Sequence, residues 1–270
     1  QFHVSFPSSK QKALALWQEI KRDVSRKGGI VLVQKYGSPG TPEGRKKGGA
    51  HALSILRIRG VIPTEKPFHT PNDYSVELAE LVGILLGDGH IGQSQWSISL
   101  NAGADAQYAL YVVRLIKKLF SFTPSILHRK KTHTLVIYSG GKRNITYFQQ
   151  IGLKIGNKVT QQVSVPEWIM QNAPYSAACL RGLNDTDGGI FKHTYVVGKK
   201  RYTYIKLSFS NRSIPLLQFV YTTLKATGLT PKLVDKVANK RVWLYNHSEV
   251  LQYIERIGTH NPRLLVNLGG

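Results

Sequence analysis

Only one cysteine, Cys179, occurs among the 270 residues, which excludes a disulfide framework and any zinc site built on paired cysteines. Acidic side chains are also scarce. Fifteen Asp and Glu face 37 Lys and Arg, a formal charge of +22. An imbalance of that size points to a polyanionic partner, either nucleic acid or an anionic membrane surface. No apolar run approaches the roughly 20 residues of a membrane-spanning helix. No signal peptide is apparent, although the chain opens on Gln1 rather than Met. These features lead us to expect an intracellular protein (cytoplasm, nucleoid or organelle matrix) that is neither secreted nor membrane-bound. The nine histidines include no His-x-x-His or His/Cys set at zinc spacing, and no phosphate-binding glycine loop is present. Hydrophobic residues make up 41% of the chain, enough for a packed core, and the length suits one large domain or two small ones.

Two nonamers dominate what is present. The first reads Leu81-Val-Gly-Ile-Leu-Leu-Gly-Asp88-Gly89 and the second Leu180-Arg-Gly-Leu-Asn-Asp-Thr-Asp187-Gly188. Each is a helical run ending on an acid followed by glycine. Gly83 with Gly87, and Gly182 with Thr186, fall on one helix face, where small residues let two backbones approach closely. Gly89 and Gly188 are expected to stop the helices in the left-handed conformation. If the helices pack side by side, Asp88 and Asp187 meet at two helix C-termini that are already partly negative. Such a pair calls for a cation. On so basic a chain, the arrangement reads as a metal-dependent enzyme acting on a phosphate backbone.

The two nonamers resemble the paired signatures of LAGLIDADG homing endonucleases in their single-chain, monomeric, two-motif form. The match covers the small residues, the apolar positions and the terminal Asp-Gly. It departs at Leu86, where an acid is common, and at Asn184, usually apolar. The resemblance implies a DNA endonuclease, often intron-encoded, whose two final acids bind metal between the scissile phosphates. It also implies a long duplex site of roughly 20 base pairs, about two turns of B-DNA, cut across the minor groove with Mg²⁺ or Mn²⁺. Ca²⁺ is expected to support binding without cleavage.

An internal repeat supports this reading. Trp96–Asn101 alternates as a strand, and so does Ile205–Asn211. Amphipathic helices follow at Asp105–Phe120 and Ser213–Ala226. Thr123-Pro124, Val136–Tyr138 and Ile151-Gly152 recur at Thr230-Pro231, Trp243–Tyr245 and Ile257-Gly258. The expected fold is α/β (α+β): two pseudo-symmetric αββαββα repeats forming a saddle of antiparallel sheets, with the motif helices packed at the centre. The first repeat is placed at residues 75–160, a linker at 161–174 and the second repeat at 175–270. Residues 1–74 carry 13 basic and 5 acidic side chains. They read as a helix from Ser9 to about Lys27 followed by a basic Gly/Pro-rich stretch holding Arg45, Lys46 and Lys47. This extension is either an accessory DNA-binding element or a packed segment with a solvated basic loop.

For phosphodiester hydrolysis, Asp88 and Asp187 are the expected metal ligands, with the carbonyls of Gly87 and Thr186 as further oxygens. Lys206, Lys192 and Asn101 are candidates for positioning water or stabilising charge, with Gln95 behind them. Asp185 is expected to cap or pack. DNA contact is expected from strand side chains in the major groove. In the first repeat these are Gln93, Gln95, Ser97, Arg129, Lys131 and His133. In the second they are Lys192, Thr194, Tyr202, Tyr204, Lys206, Lys232, Asp235, Lys236 and Arg241. Lys142, Arg143, Lys154 and Lys158 read as backbone clamps. Two competing functions use the same scaffold: an intron-RNA maturase and a non-catalytic DNA-binding regulator. Without an N-terminal cysteine or terminal His-Asn, an intein-embedded copy is not expected.

Overall fold

A computed structural model describes residues 9–37, 40–61, 68–236 and 239–268, with the side chains of 9, 10 and 235–239 left out. The chain divides into two units, Gln1–Thr64 and Glu65–Gly270. The first unit is helical. Helix α1 spans Ser9–Tyr36. It runs through Gly28 and Gly29, well past the Lys27 expected from sequence, because interior glycine costs only about 1 kcal/mol and the apolar Ile30–Val33 follows directly. The helix ends at Gly37, whose φ of 79° supplies the left-handed stop. Helix α2 spans Pro42–Ile58, with Thr41 accepting from the Gly44 amide and Pro42 in the first turn. Arg45, Lys46 and Lys47 therefore lie on the first turns of a helix and not in a loop.

The second unit contains both repeats. Helix α3 (Val76–Leu86) leads to strands β1 (Gly89–Ile91) and β2 (Gln95–Asn101), helix α4 (Ala106–Phe120), strands β3 (Ser125–Arg129) and β4 (Thr134–Gly140), and helix α5 (Lys142–Gln150). A short helix, α6 (Glu167–Met170), interrupts the linker. Then come helix α7 (Ala173–Asp187), strands β5 (Gly188–Val197) and β6 (Lys200–Ser210), helix α8 (Ile214–Ala226), strands β7 (Lys232–Lys236) and β8 (Asn239–Leu244), and helix α9 (His247–Arg256). The element order is αββαββα twice. Each repeat forms its own antiparallel sheet, in the orders β1-β2-β4-β3 and β5-β6-β8-β7.

Strand alternation divides each sheet into two faces. Trp96, Ile98, Leu100 and Ile137 of the first, and Ile190, Leu207, Phe209, Val242 and Leu244 of the second, join the buried core. That core also holds Val112 and Ile116 of α4, Leu216 and Val220 of α8, and Val250 and Tyr253 of α9. Helix α3 is buried on all sides from Leu78 to Leu86, which explains why its nonamer is apolar up to the terminal Asp-Gly. Phe68 stacks on Phe120 at 4.8 Å, and Tyr74 stacks on Trp168 at 4.0 Å. Phe68, just before α3, thus packs against this unit's core.

Helices α3 and α7 pack through their glycines. A β-carbon on Gly83 would stand 2.2 Å from the Cys179 carbonyl oxygen, and one on Gly182 would stand 2.3 Å from that of Glu80. The expectation for Gly89 and Gly188 needs correction. Neither has a positive φ; Gly188 is extended at φ −95°, ψ 172°, and both begin strands. Glycine is required there by crowding, since a β-carbon would lie 2.4 Å from the carbonyl oxygen of Leu85 or Asn184 respectively. The chain turns directly from helix into strand at these points, which leaves no room for a side chain.

A polar network ties the repeats together beside this helix pair. Glu80 accepts from Arg181 (2.6 Å) and the Tyr111 hydroxyl (2.9 Å) and bonds His260 Nδ1 at 2.6 Å. Burial pushes Glu80 up, but the hydrogen bonds from His260 and Arg181 outweigh it and hold the carboxyl below its ordinary range. Asp185 accepts from the Thr259 hydroxyl and the His260 amide. The Asn261 side chain bridges Asp105 and the Asp185 carbonyl.

Candidate active site

The close helix crossing brings the two motif ends together. A β-carbon on Gly87 would meet the Thr186 hydroxyl at 2.0 Å and the Asp187 carboxyl carbon at 3.6 Å. Asp88 and Asp187 are both half-buried. Burial, then repulsion from Asp187, pushes Asp88 up to about 7, against the pull of Lys158. Asp187 is also raised, chiefly by burial, while a hydrogen bond from Asn211 and the charge of Lys158 oppose the shift. Two half-buried carboxylates near enough to repel each other form an oxygen-rich seat suited to a hard divalent cation. No hydrogen bond from any described residue reaches the Asp88 carboxylate, so its oxygens are free for such a ligand. The donor set therefore fits a magnesium-type ion.

Lys158, read from sequence as a peripheral clamp, lies at the centre. Its ammonium donates to the carbonyls of Leu86 (2.8 Å), Leu85 (3.3 Å) and Gly87. It neutralises the C-terminal end of α3, where carbonyls lack partners. Burial lowers its pKa, and Asp187 and Asp88 oppose that shift. It also occupies the Gly87 carbonyl, one of the expected metal ligands. Asn211 donates to Asp187 Oδ2 at 2.7 Å and fixes that carboxylate. Next to these groups lies an open cleft of about 710 Å³ lined by Gly87, Lys158, Asp187, Ser210, Asn211, Arg212, Lys240 and Arg241. An acid surrounded by four cations suits a phosphate approached by a metal.

Other sequence candidates fall elsewhere. Asn101 caps the turn into α4, accepting from Gly103 and Ala104 (both 2.9 Å), and is exposed. Its repeat counterpart Asn211 reaches the acid instead because the two registers differ. Ile98 lies opposite Gly89, whereas Phe209, one residue further than the Asn101–Asn211 alignment implies, lies opposite Gly188. Thr186 turns its hydroxyl back to the Gly182 and Leu183 carbonyls. Lys206 pairs with Phe191 in the ladder and sits 5.4 Å over the Tyr245 ring. Lys192 pairs with buried Ile205, on the opposite sheet face from Lys206.

On the first sheet's open face, Ser97 pairs with His90 and Tyr138, Gln95 with Gly140, and Arg129 with Thr134. Gln93 is in the turn before β2, and Lys131 and His133 are in the β3–β4 connection. Lys142 and Arg143 begin α5. On the second sheet, Tyr202, Tyr204, Lys206, Lys232 and Arg241 share the open face, whereas Thr194 shares the other with Lys192. Asp235 and Lys236 lie outside the described side chains.

Arg212, Lys240 and Asn211 are not among the site residues expected from sequence, and Lys158 is expected there as a backbone clamp. Arg212 and Asn211 follow directly on β6, and their strand position was the available signal. Lys158 is in a loop with no pattern to mark it.

No protein-family model matches the chain. An alignment of 203 positions that covers 73% of the chain is 29% identical to part of the replication factor C small subunit of Methanocaldococcus jannaschii. The chain spans about a tenth of that relative's length, 10%. Among solved structures, the I-LtrWI LAGLIDADG homing endonuclease bound to target DNA superposes with a TM-score of 0.51 at 12% identity, covering 70% of this chain and 86% of that one. I-SmaMI bound to uncleaved DNA target in the presence of calcium ions gives a TM-score of 0.52 at 10% identity, covering 73% and 89%. With its two four-stranded antiparallel sheets and paired glycine-packed helices, this chain has the fold of the LAGLIDADG homing endonucleases.

Proposed function

We propose that this protein is a monomeric, site-specific double-stranded DNA endonuclease that hydrolyses phosphodiesters on both strands of a long site. The observation that carries the reading is that Asp88 and Asp187 lie near enough at two helix ends to repel each other, with Asp187 lining a strongly basic cleft. A divalent cation held by these acids supplies Lewis-acid polarisation of the phosphate and an activated water. The chain's own residues do the rest. Asn211 holds Asp187 in one orientation. Lys158 places a positive charge against both acids, where charge builds on the transferring phosphate. Arg212, Lys240 and Arg241 bind the neighbouring backbone. The DNA-bound state of the structural neighbours and the charge of +22 support duplex DNA as the substrate.

Incubating a randomised duplex library with purified protein and Mg²⁺ tests this reading. Recovery of one long site, cut on both strands, supports it. Binding of a specific duplex without cutting indicates a regulator instead, and capture of structured intron RNA with no selected duplex indicates a maturase. Lys158→Met is expected to slow cleavage on the order of 10²-fold while duplex affinity in Ca²⁺ changes little, as measured by single-turnover cleavage beside equilibrium binding. Cleavage at the parental rate would remove Lys158 from the chemistry.

A further inference from the structure

The open face of the second sheet is aromatic where the first is mostly polar. Beside Asp88 the first sheet offers His90 paired with Ser97, then Gln95. Beside Asp187 the second offers Phe191, half-exposed, its ring folded back so far over the strand that a β-carbon on Gly189 would meet Cζ at 2.3 Å. Further out along the long β5–β6 hairpin, Tyr195 stacks on Tyr202 (5.5 Å, 23°) and on Tyr204 (5.6 Å, 5°). Across the sheet, Trp243 stacks on Tyr245 at 5.4 Å and 12°. Cations are interleaved, with Lys206 over Tyr245 and Arg241 over Trp243. This is the face that continues from the acid pair.

We infer that this face reads its half of the DNA site through thymine methyl groups, so that the two half-sites are recognised by different chemistry. The inference rests on the endonuclease reading above. The rings cover one another's faces, with Lys206 and Arg241 over Tyr245 and Trp243 and the Tyr195 hydroxyl donating to that of Tyr204, so the cluster offers mainly ring edges to a partner. That geometry does not suit insertion of unpaired bases, which needs a free ring face. It does suit the major groove, where the C5-methyl of thymine is the apolar group a side chain can meet. Phe191 has no polar atom to offer a base edge. Lys206 and Arg241, held over the rings, give the surface the charge it needs to lie against phosphates.

The test uses the full-length protein in Ca²⁺ with duplexes selected from a randomised library, then resynthesised with uracil in place of thymine in one half or the other. Each uracil removes one methyl. The expected result is one sensitive half, with affinity falling about fourfold per contacted methyl, and one insensitive half. Phe191→Asn together with Tyr202→Ser, both at exposed positions, should erase the discrimination, so that the double variant binds the thymine and uracil duplexes equally well whatever its absolute affinity. A selected duplex that tolerates uracil in both halves, or loses affinity equally in both, overturns the inference and leaves the endonuclease reading intact. Failure to select any duplex overturns both. A double variant that keeps the wild-type discrimination also refutes the assignment to this face.

Discussion

Asp88→Asn or Asp187→Asn is expected to reduce Mg²⁺-dependent cleavage on the order of 10³-fold or more, since metal-held charge contributes several kcal/mol to such a transition state. Duplex binding should survive, because the proposed backbone contacts, Arg212, Lys240 and Arg241, are separate side chains lining the cleft beside Asp187. The same substitution should stabilise the metal-free protein. Asp88 titrates near 7 in the folded chain against 3.8 for a free carboxyl. Its folded-state pKa is raised, so the stability it contributes is fully present below about 3.8 and is lost as pH rises through about 7. Metal-free wild-type protein should therefore melt at a lower temperature at pH 8 than at pH 5. Saturating Mg²⁺ should recover most of the difference at pH 8. In Asp88→Asn the slope should be shallower but not flat, because Asp187 and Asp185 are shifted in the same direction. Thermal melts across that pH range check this. A wild-type midpoint that rises steadily from pH 5 to pH 8 would refute the strained acid pair.

Gly83→Ala and Gly182→Ala carry the largest expected cost in stability. The added methyl meets backbone in each case, the Cys179 carbonyl or the Glu80 carbonyl, and neither can rotate away. The helices must separate, which disturbs the core on both sides of the crossing and the Glu80–Arg181–His260 network beside it. Overpacking of this kind typically costs 1–3 kcal/mol, and a backbone clash at the central helix pair should reach at least about 3 kcal/mol. Separation also moves Asp88 away from Asp187, so cleavage should fall further than stability alone explains. Gly48→Ala on exposed α2 is the control, since a β-carbon there meets nothing within 4 Å; it should leave cleavage unchanged and raise helix stability by up to about 1 kcal/mol, the opposite sign. Denaturant melts alongside cleavage rates decide the matter. A Gly83→Ala protein of wild-type stability would mean that the helices are not joined at this point.

Much of this architecture was legible in the sequence because it is written in periodicity. The paired glycines marked the helix crossing, and the terminal acids marked the candidate site. Alternation in Trp96–Asn101 and Ile205–Asn211 gave the strands, and the apolar stripes of α4 and α8 gave the layers behind them. What was illegible depends on register and on loops. A one-residue slip between the copies places Asn211 on Asp187 while Asn101 caps a turn. Strand parity separates Lys192 and Thr194 from Tyr204 and Lys206, which is visible only once the pairing is fixed. Lys158 reaches the α3 carbonyls from a stretch without secondary structure, about seventy residues away in the chain, and no local pattern encodes that contact. In the first unit, Gly28-Gly29 and the Gly/Pro-rich segment suggested a break and a loop, yet helical residues continue around both.

The most direct test of the central claim is a calorimetric titration of Mn²⁺ into metal-free protein near neutral pH, comparing wild type with Asp88→Asn, Asp187→Asn and His260→Ala. If the two motif acids hold the ion, each Asp variant should bind Mn²⁺ at least about tenfold more weakly, a loss of about 1.4 kcal/mol, while His260→Ala binds as wild type. Wild-type affinity in both Asp variants, with binding lost in His260→Ala, would place the ion at the Glu80–Asp185–His260 cluster and contradict this account.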